Sequence, residues 1–150
     1  MKQFVYIIFL LLSLHVSAQT EKNYGIQFYH GTWKEACDKA KVENKLVFVD
    51  FYTKWCGPCL NMAENVFILP FIGDFYNTNF VNMKIDAENG EGVELAKRYG
   101  VNSYPTYVFV DPQNGDVVHR SKSRQEAEQF LATGKSALVP ELRSDYLIEE

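Results

Sequence analysis

The chain has 150 residues, 47% hydrophobic, 23% charged and 15% aromatic, which excludes a disordered, collagen-like or disulfide-dense protein and suits one domain. A formal net charge of −4 leaves no basic surplus to neutralise phosphates, so no nucleic-acid partner is expected. With three cysteines in all, chemistry is a better reason for their presence than scaffolding.

The chain opens with one positive charge in Met1-Lys2-Gln3. An almost unbroken apolar run follows from Phe4 to Leu14, and small residues stand at Ser17-Ala18. This is the anatomy of a secretory signal peptide over residues 1–18, cleaved after Ala18. The run is shorter than the roughly 20 apolar residues a spanning helix needs. The mature form is expected to be soluble and exported to the periplasm or beyond the cell. It keeps Cys37, Cys56 and Cys59 in a compartment where disulfides persist.

Residues 19–31 read as a lead-in, with a short edge strand at Ile26 to Tyr29. Thr32-Trp33-Lys34-Glu35 fits a capping box, and Trp33, Ala36, Cys37 and Ala40 then recur at helical spacing up to Asn44-Lys45. Leu46 to Tyr52 is an apolar run holding one acid, Asp50, and reads as a strand buried on both faces. After the turn Thr53-Lys54-Trp55 comes Cys56-Gly57-Pro58-Cys59 and a helix to about Leu69, which Pro70 should break or kink. Phe80 to Asp86 alternates as a strand. Glu91 to Tyr99 reads as a helix, with Gly100 suited to a left-handed cap. Thr106 to Val110 is a strand. Asn114-Gly115 signals a hairpin returning through Val117-Val118-His119. Ser123-Arg124-Gln125-Glu126 fits a second capping box for a last helix through about Ala137. Residues 139–150 form an acidic tail.

Strands alternating with helices predict an α/β fold over residues 32–138. Its central mixed sheet should be largely parallel, closed by an antiparallel C-terminal hairpin and covered by helices on both faces.

Two cysteines three apart at a helix start share one face, within reach of a disulfide. The helix N-terminus favours negative charge, so Cys56 is expected to be an exposed, acidified thiolate and Cys59 a buried thiol one turn inside. Cys56 would attack a substrate disulfide and Cys59 would resolve the mixed disulfide. Gly57 leaves room for the substrate, and Pro58 is tolerated in the first helical turn. A carboxylate inside a buried strand is costly, so the pKa of Asp50 should rise and make it a proton carrier near neutrality. A structural zinc site normally takes four ligands. Here there is one pair, with Cys37, His30 and His119 scattered singly, so no metal is expected. Cys37 is expected to be a buried inert thiol, and the two histidines surface or strand residues.

The stretch Val49 to Cys59, with its Trp-Cys-Gly-Pro-Cys signature, together with Tyr104-Pro105-Thr106 before a strand, resembles the thioredoxin superfamily across most of the chain. Asn65-Val66-Phe67 and Glu94 to Gly100 resemble small exported thioredoxin-like proteins and the C-terminal thioredoxin-like domain of bacterial membrane electron-transfer reductases. The resemblance implies a cis Pro105 facing the active site. It also implies a Tyr104 backbone that pairs with an extended substrate segment, and a substrate surface of Trp55, Gly57, Pro58, Tyr104, Pro105 and Thr106. It implies sulfur chemistry without a cofactor, with Asp50 helping to deprotonate Cys59. Two positions depart from the pattern. Asn82 stands where typical members carry a lysine, with Lys84 two residues on, and Ala63-Glu64 replace a helix-kinking proline. The expected function is an exported thiol–disulfide oxidoreductase that reduces protein disulfides and is recharged by a membrane-embedded reductase. An oxidase or isomerase of the same fold and a non-catalytic substrate-binding module stand as alternatives.

Overall fold

In a computed structural model residues 24–143 are described. The expected leader (1–18), residues 19–23 of the lead-in and residues 144–150 of the tail lie outside the described residues. Strand β1 (Leu46–Tyr52) runs through the middle of a four-stranded sheet. Its side chains alternate, as the pleat requires. Val47, Val49 and Phe51 enter one apolar cluster, and Phe48 enters the other. Asp50, two residues from Phe48, shares the Phe48 face.

The first face is covered by α1 (Trp33–Glu43) and, later in the chain, α4 (Gly92–Arg98), through Ala36, Ala40, Leu95 and Ala96. The capping box opening α1 is present in both directions between Thr32 and Glu35. Cys37, expected to be buried on this helix, is only half-buried; burial pushes its thiol pKa up. The second face carries α2 (Gly57–Asn65), α3 (Pro70–Asn79) and α5 (Ala127–Leu138). Their contact with the sheet is mainly aromatic. Tyr76 stacks on Phe130 at 4.6 Å, and Phe48 meets Tyr76 at 4.9 Å and Phe109 at 5.1 Å.

The sheet order is β2–β1–β3–β4, completed by β2 (Phe80–Asp86), β3 (Thr106–Val110) and β4 (Val117–Lys122). Only β1 and β2 are parallel; β1–β3 and β3–β4 are antiparallel. The expectation of a largely parallel sheet is therefore corrected, and the short α4 goes with the reversal. A seven-residue strand spans about 23 Å, whereas the seven residues of α4 rise only about 10 Å. The helix by itself carries the chain less than halfway back along the sheet, and β3 starts near where β1 stops, with Thr106 opposite Phe51. Gly100 takes the left-handed conformation (φ 60°) that ends α4.

Three local expectations also change. The helix after Cys59 ends at Asn65, not near Leu69, and Pro70 begins a new helix, α3, that the sequence reading lacks. Pro70 sits in its first turn, where a missing N–H costs nothing. Ile72 and Tyr76 are buried, and Gly73 lies so close to the Gly25 backbone that a Cβ would come within 2.3 Å of its carbonyl oxygen. Tertiary contact stabilises a helix that propensity does not announce.

The edge strand expected over Ile26–Tyr29 is a single bridge, Phe28 to Asn82. Asparagine side chains take the groups a ladder would pair. Gln27 N–H donates to Asn77 Oδ1 at 2.8 Å, and Asn77 Nδ2 donates to the Gly25 carbonyl at 3.0 Å. The second capping box is absent: α5 starts at Ala127 with no side-chain cap, and Ser123 adopts φ 72°. Gln125 is instead drawn inside, donating to Ser121 Oγ and accepting from Thr133 Oγ1 at 3.0 Å. Among the described residues no helix is long and apolar enough to cross a membrane.

Candidate active site

The C-terminal ends of β1 and β2 and the start of β3 lie at one end of the sheet, and the chain leaves β1 there through Thr53-Lys54-Trp55. Cys56 N–H donates to the Thr53 carbonyl at 3.3 Å, closing the turn. Cys56 is the N-cap of α2 in an extended conformation, with Pro58 in the first turn. Cys56 and Cys59 form a disulfide across a Cα–Cα distance of 5.3 Å. The Cys59 N–H donates to Cys56 Sγ at 3.1 Å, so one of the free donors at the helix start is aimed at that sulfur. A thiolate on Cys56 would be stabilised by that donor and by the helix N-terminus.

The expected contrast in exposure is corrected. Cys56 is 6% exposed and Cys59 3%, so both count as buried. What distinguishes the sulfurs is position: Cys56 caps the helix and receives an N–H, while Cys59 lies within its first turn.

Asp50 is 1% exposed, and neither carboxylate oxygen has a hydrogen-bond partner among the described residues. Burial pushes its pKa from 3.8 up to about 7, against the opposing pull of Lys84. In register, Lys84 is its neighbour on β2 and Tyr107 its neighbour on β3. Burial, and after it the Asp50 charge, pushes the Tyr107 phenol far up, which keeps it neutral. The Lys84 ammonium lies over the Tyr52 ring, 4.8 Å from its centroid, and 5.9 Å from that of Phe67. These contacts hold a cation near the acid by ring faces. Asn82, at the position where the resemblance places a lysine, pairs with Phe48 instead, and its amide binds Asn77 and Gln27. An open cavity of about 200 Å³ runs along this side, lined by Tyr52, Trp55, Cys56, Cys59, Leu60 and Lys84 among others.

The Tyr104–Pro105 peptide bond is cis. Tyr104 meets Trp55 edge to face at 6.0 Å, which brings the two loops together. A Cβ at Gly57 would meet nothing within 4 Å, so the segment between the cysteines is open to an approaching chain. Thr106, expected on the substrate side, is buried with its hydroxyl donating to the Ser103 carbonyl at 2.7 Å. Its side chain anchors the loop. His119 lies buried on β4 beside Phe109, where burial lowers its pKa. Among the described residues no three His, Cys, Asp or Glu side chains gather where they could hold a metal ion.

The sequence reading passed over Tyr107, Leu60 and Glu88. The first needed the β1–β3 register and the second the cavity. Glu88 follows β2 and reaches the Trp55 indole across the end of the sheet; no local pattern marks such a partner.

A disulfide that caps a helix, beside a cis-proline loop on the end of a mixed sheet, defines the thioredoxin class of proteins. Residues 33–138 match the family described as thioredoxin-like domain, and the chain belongs to that family. Thioredoxin-1 of Drosophila yakuba is 44% identical over 68 residues, covering 45% of this chain and 59% of that protein. The match thus spans less than two thirds of that relative. Among solved structures, a candidate disulphide isomerase from Bacteroides thetaiotaomicron superposes with a TM-score of 0.70. It is 42% identical, and the alignment covers 79% of this chain and 97% of that one. The oxidised C-terminal domain of DsbD from Neisseria meningitidis superposes with a TM-score of 0.57 at 26% identity, over 71% of this chain and 95% of its own.

Proposed function

We propose that this protein is an exported thiol–disulfide oxidoreductase that reduces protein disulfides. The observation that carries the reading is the Cys56–Cys59 disulfide on the N-terminus of α2, with the Cys59 N–H aimed at Cys56 Sγ.

In the reduced protein the Cys56 thiolate attacks one sulfur of a substrate disulfide. A new S–S bond forms to Cys56, and the other substrate sulfur leaves as a thiolate that takes a proton. Asp50 in its charged form accepts the proton of Cys59. The Cys59 thiolate then attacks Cys56 Sγ, breaking the mixed disulfide and releasing the second substrate thiol. Two electrons pass to the substrate, and the protein is left with its own disulfide. The Asp50 pKa near 7 suits a group that must both take and release a proton at neutral pH. Trp55, Gly57, Pro58 and Tyr104 form the surface that receives the substrate, with the buried cis Pro105 behind it and the Tyr104 backbone available to an extended segment.

Export to the periplasm or beyond the cell is supported by the charged start, apolar run and small residues of positions 1–18. A reductant in an oxidising compartment must be recharged, so a membrane-embedded dithiol reductase is the electron donor. The likeness to the DsbD C-terminal domain supports that partner. The Gly-Pro pair between the cysteines and the buried Asp50 support the reducing direction. The name of the Bacteroides relative favours one second reading, isomerisation of mispaired disulfides.

The test is capture and turnover. Cys59→Ser should accumulate mixed disulfides with client proteins through Cys56, and Cys56→Ser should abolish both capture and insulin reduction. Client binding that survives in Cys56→Ser, with no insulin reduction by the wild type, would leave only a binding module. Equilibration with glutathione should give a potential well below that of a strong oxidant; a value near about −120 mV would reverse the proposed direction. Refolding of scrambled substrate by the wild type at a rate exceeding its insulin reduction would select the isomerase reading.

A further inference from the structure

Trp55 is 70% exposed, yet its indole is held on two sides. Its Nε1–H donates to both carboxylate oxygens of Glu88, at 3.1 and 3.0 Å. Its ring meets Tyr104 at 84°. The loop that presents Glu88 is itself braced. Asp86 accepts the Glu88 N–H at 3.0 Å and the Asn89 side-chain amide at 2.8 Å, and its carboxylate lies 3.9 Å from Lys54 Nζ. The turn before Cys56 is therefore joined twice to the loop after β2, by Lys54–Asp86 and by Trp55–Glu88.

An unsupported exposed indole samples several rotamers, and a ligand that packs against it must order it on binding. A charge-assisted hydrogen bond from a braced loop removes that freedom beforehand. We propose that Glu88 is a positioning residue for substrate: its carboxylate fixes the Trp55 indole against Tyr104, giving a preformed wall beside Cys56 that receives a polypeptide disulfide. The proposal rests on the oxidoreductase reading and deepens it, because it names the residue that holds the substrate wall in place. A polypeptide must lie along the Trp55–Tyr104 wall to bring its sulfur to Cys56, so a loosened indole weakens its binding. Glu88 makes no contact with the reacting sulfurs in this scheme; it acts through Trp55, and its loss should appear in KM before kcat.

The chain has two tryptophans, so a Trp33→Phe background makes Trp55 the sole indole. In that background the parent, Glu88→Gln and Glu88→Ala are compared by acrylamide quenching of fluorescence, by insulin reduction and by thermal midpoint. Glu88→Ala should quench more readily and raise KM for insulin about three- to tenfold, the loss expected for one partly exposed charge-assisted hydrogen bond, with kcat within about twofold. Glu88→Gln keeps one carbonyl acceptor and should fall between. An unchanged KM in Glu88→Ala overturns the proposal. So does a rise in KM with unaltered quenching, or a loss of activity that only follows a lowered thermal midpoint. If the alanine variant does not fold, the glutamine variant carries the same comparison. A parent protein that leaves insulin intact defeats the reductase reading instead. The KM comparison is then run on oxidation of a reduced dithiol peptide, where the same outcomes decide the role of Glu88.

Discussion

Replacing Asp50 with asparagine should stabilise the protein, and by an amount that depends on pH. The folded-state pKa of about 7 stands above the ordinary value of 3.8. Between those two values the native state keeps a proton that the unfolded chain has released. Stability must then fall as pH rises from about 4 to about 7, and level off above. At about 1.36 kcal/mol for each pH unit between the two values, the charged acid costs the fold about 4 kcal/mol at pH 8. Asparagine has the same shape and stays neutral, so it avoids that cost. At pH 4 both proteins carry a neutral polar group there, and the difference should vanish. Urea denaturation of the oxidised proteins, in which no active-site thiol titrates, reads this directly. With a slope of about 1.5 kcal/mol/M, the midpoint of Asp50→Asn should exceed that of the wild type by roughly 2–3 M at pH 8. Lys84→Met, which removes the charge opposing burial, should carry the wild-type decline to higher pH. Equal pH dependence in the wild type and Asp50→Asn would refute the reasoning, because the acid would then not be held neutral by its surroundings.

Two further outcomes follow from close approaches and open space. Gly92→Ala places a Cβ within 2.0 Å of the Asp86 carbonyl oxygen, pushing α4 off the end of β2. It should cost about 1–3 kcal/mol or more, measured as a lowered urea midpoint, and an unchanged midpoint would show that the two elements do not touch. Gly57→Ala meets nothing within 4 Å and should leave the thermal midpoint within about 2 °C. The methyl group stands between the cysteines on the open side, so kcat/KM for a protein disulfide should fall while the fold does not change. A midpoint that drops together with activity would contradict an open position.

How much of this could be read from the chain depended on how local the cause was. Thr32 and Glu35 satisfy each other's donors within one turn, and both halves of that box are present. The doubly buried run of β1, the strand at Phe80–Asp86 and the left-handed Gly100 are equally local. The burial of Asp50 was legible too, since an acid inside an apolar run has few places to go. The second capping box failed although its spacing is correct, because burying Gln125 between Ser121 and Thr133 won over capping α5. Helix α3 was invisible for the opposite reason: Phe71 to Asn79 has weak helical preference, and Ile72, Gly73 and Tyr76 form a helix by what they pack against.

The sequence by itself determined most of the element types, the dithiol at a helix start and the cost carried by Asp50, because each arises from neighbours within a turn or a strand. Tertiary structure decided the direction of β3, the pairing of Asp50 with Lys84 and Tyr107, and the reach of Glu88 to Trp55. Each of those depends on which strands pair and in what register. Register is set by the packing of both sheet faces at once, so no window along the chain contains it.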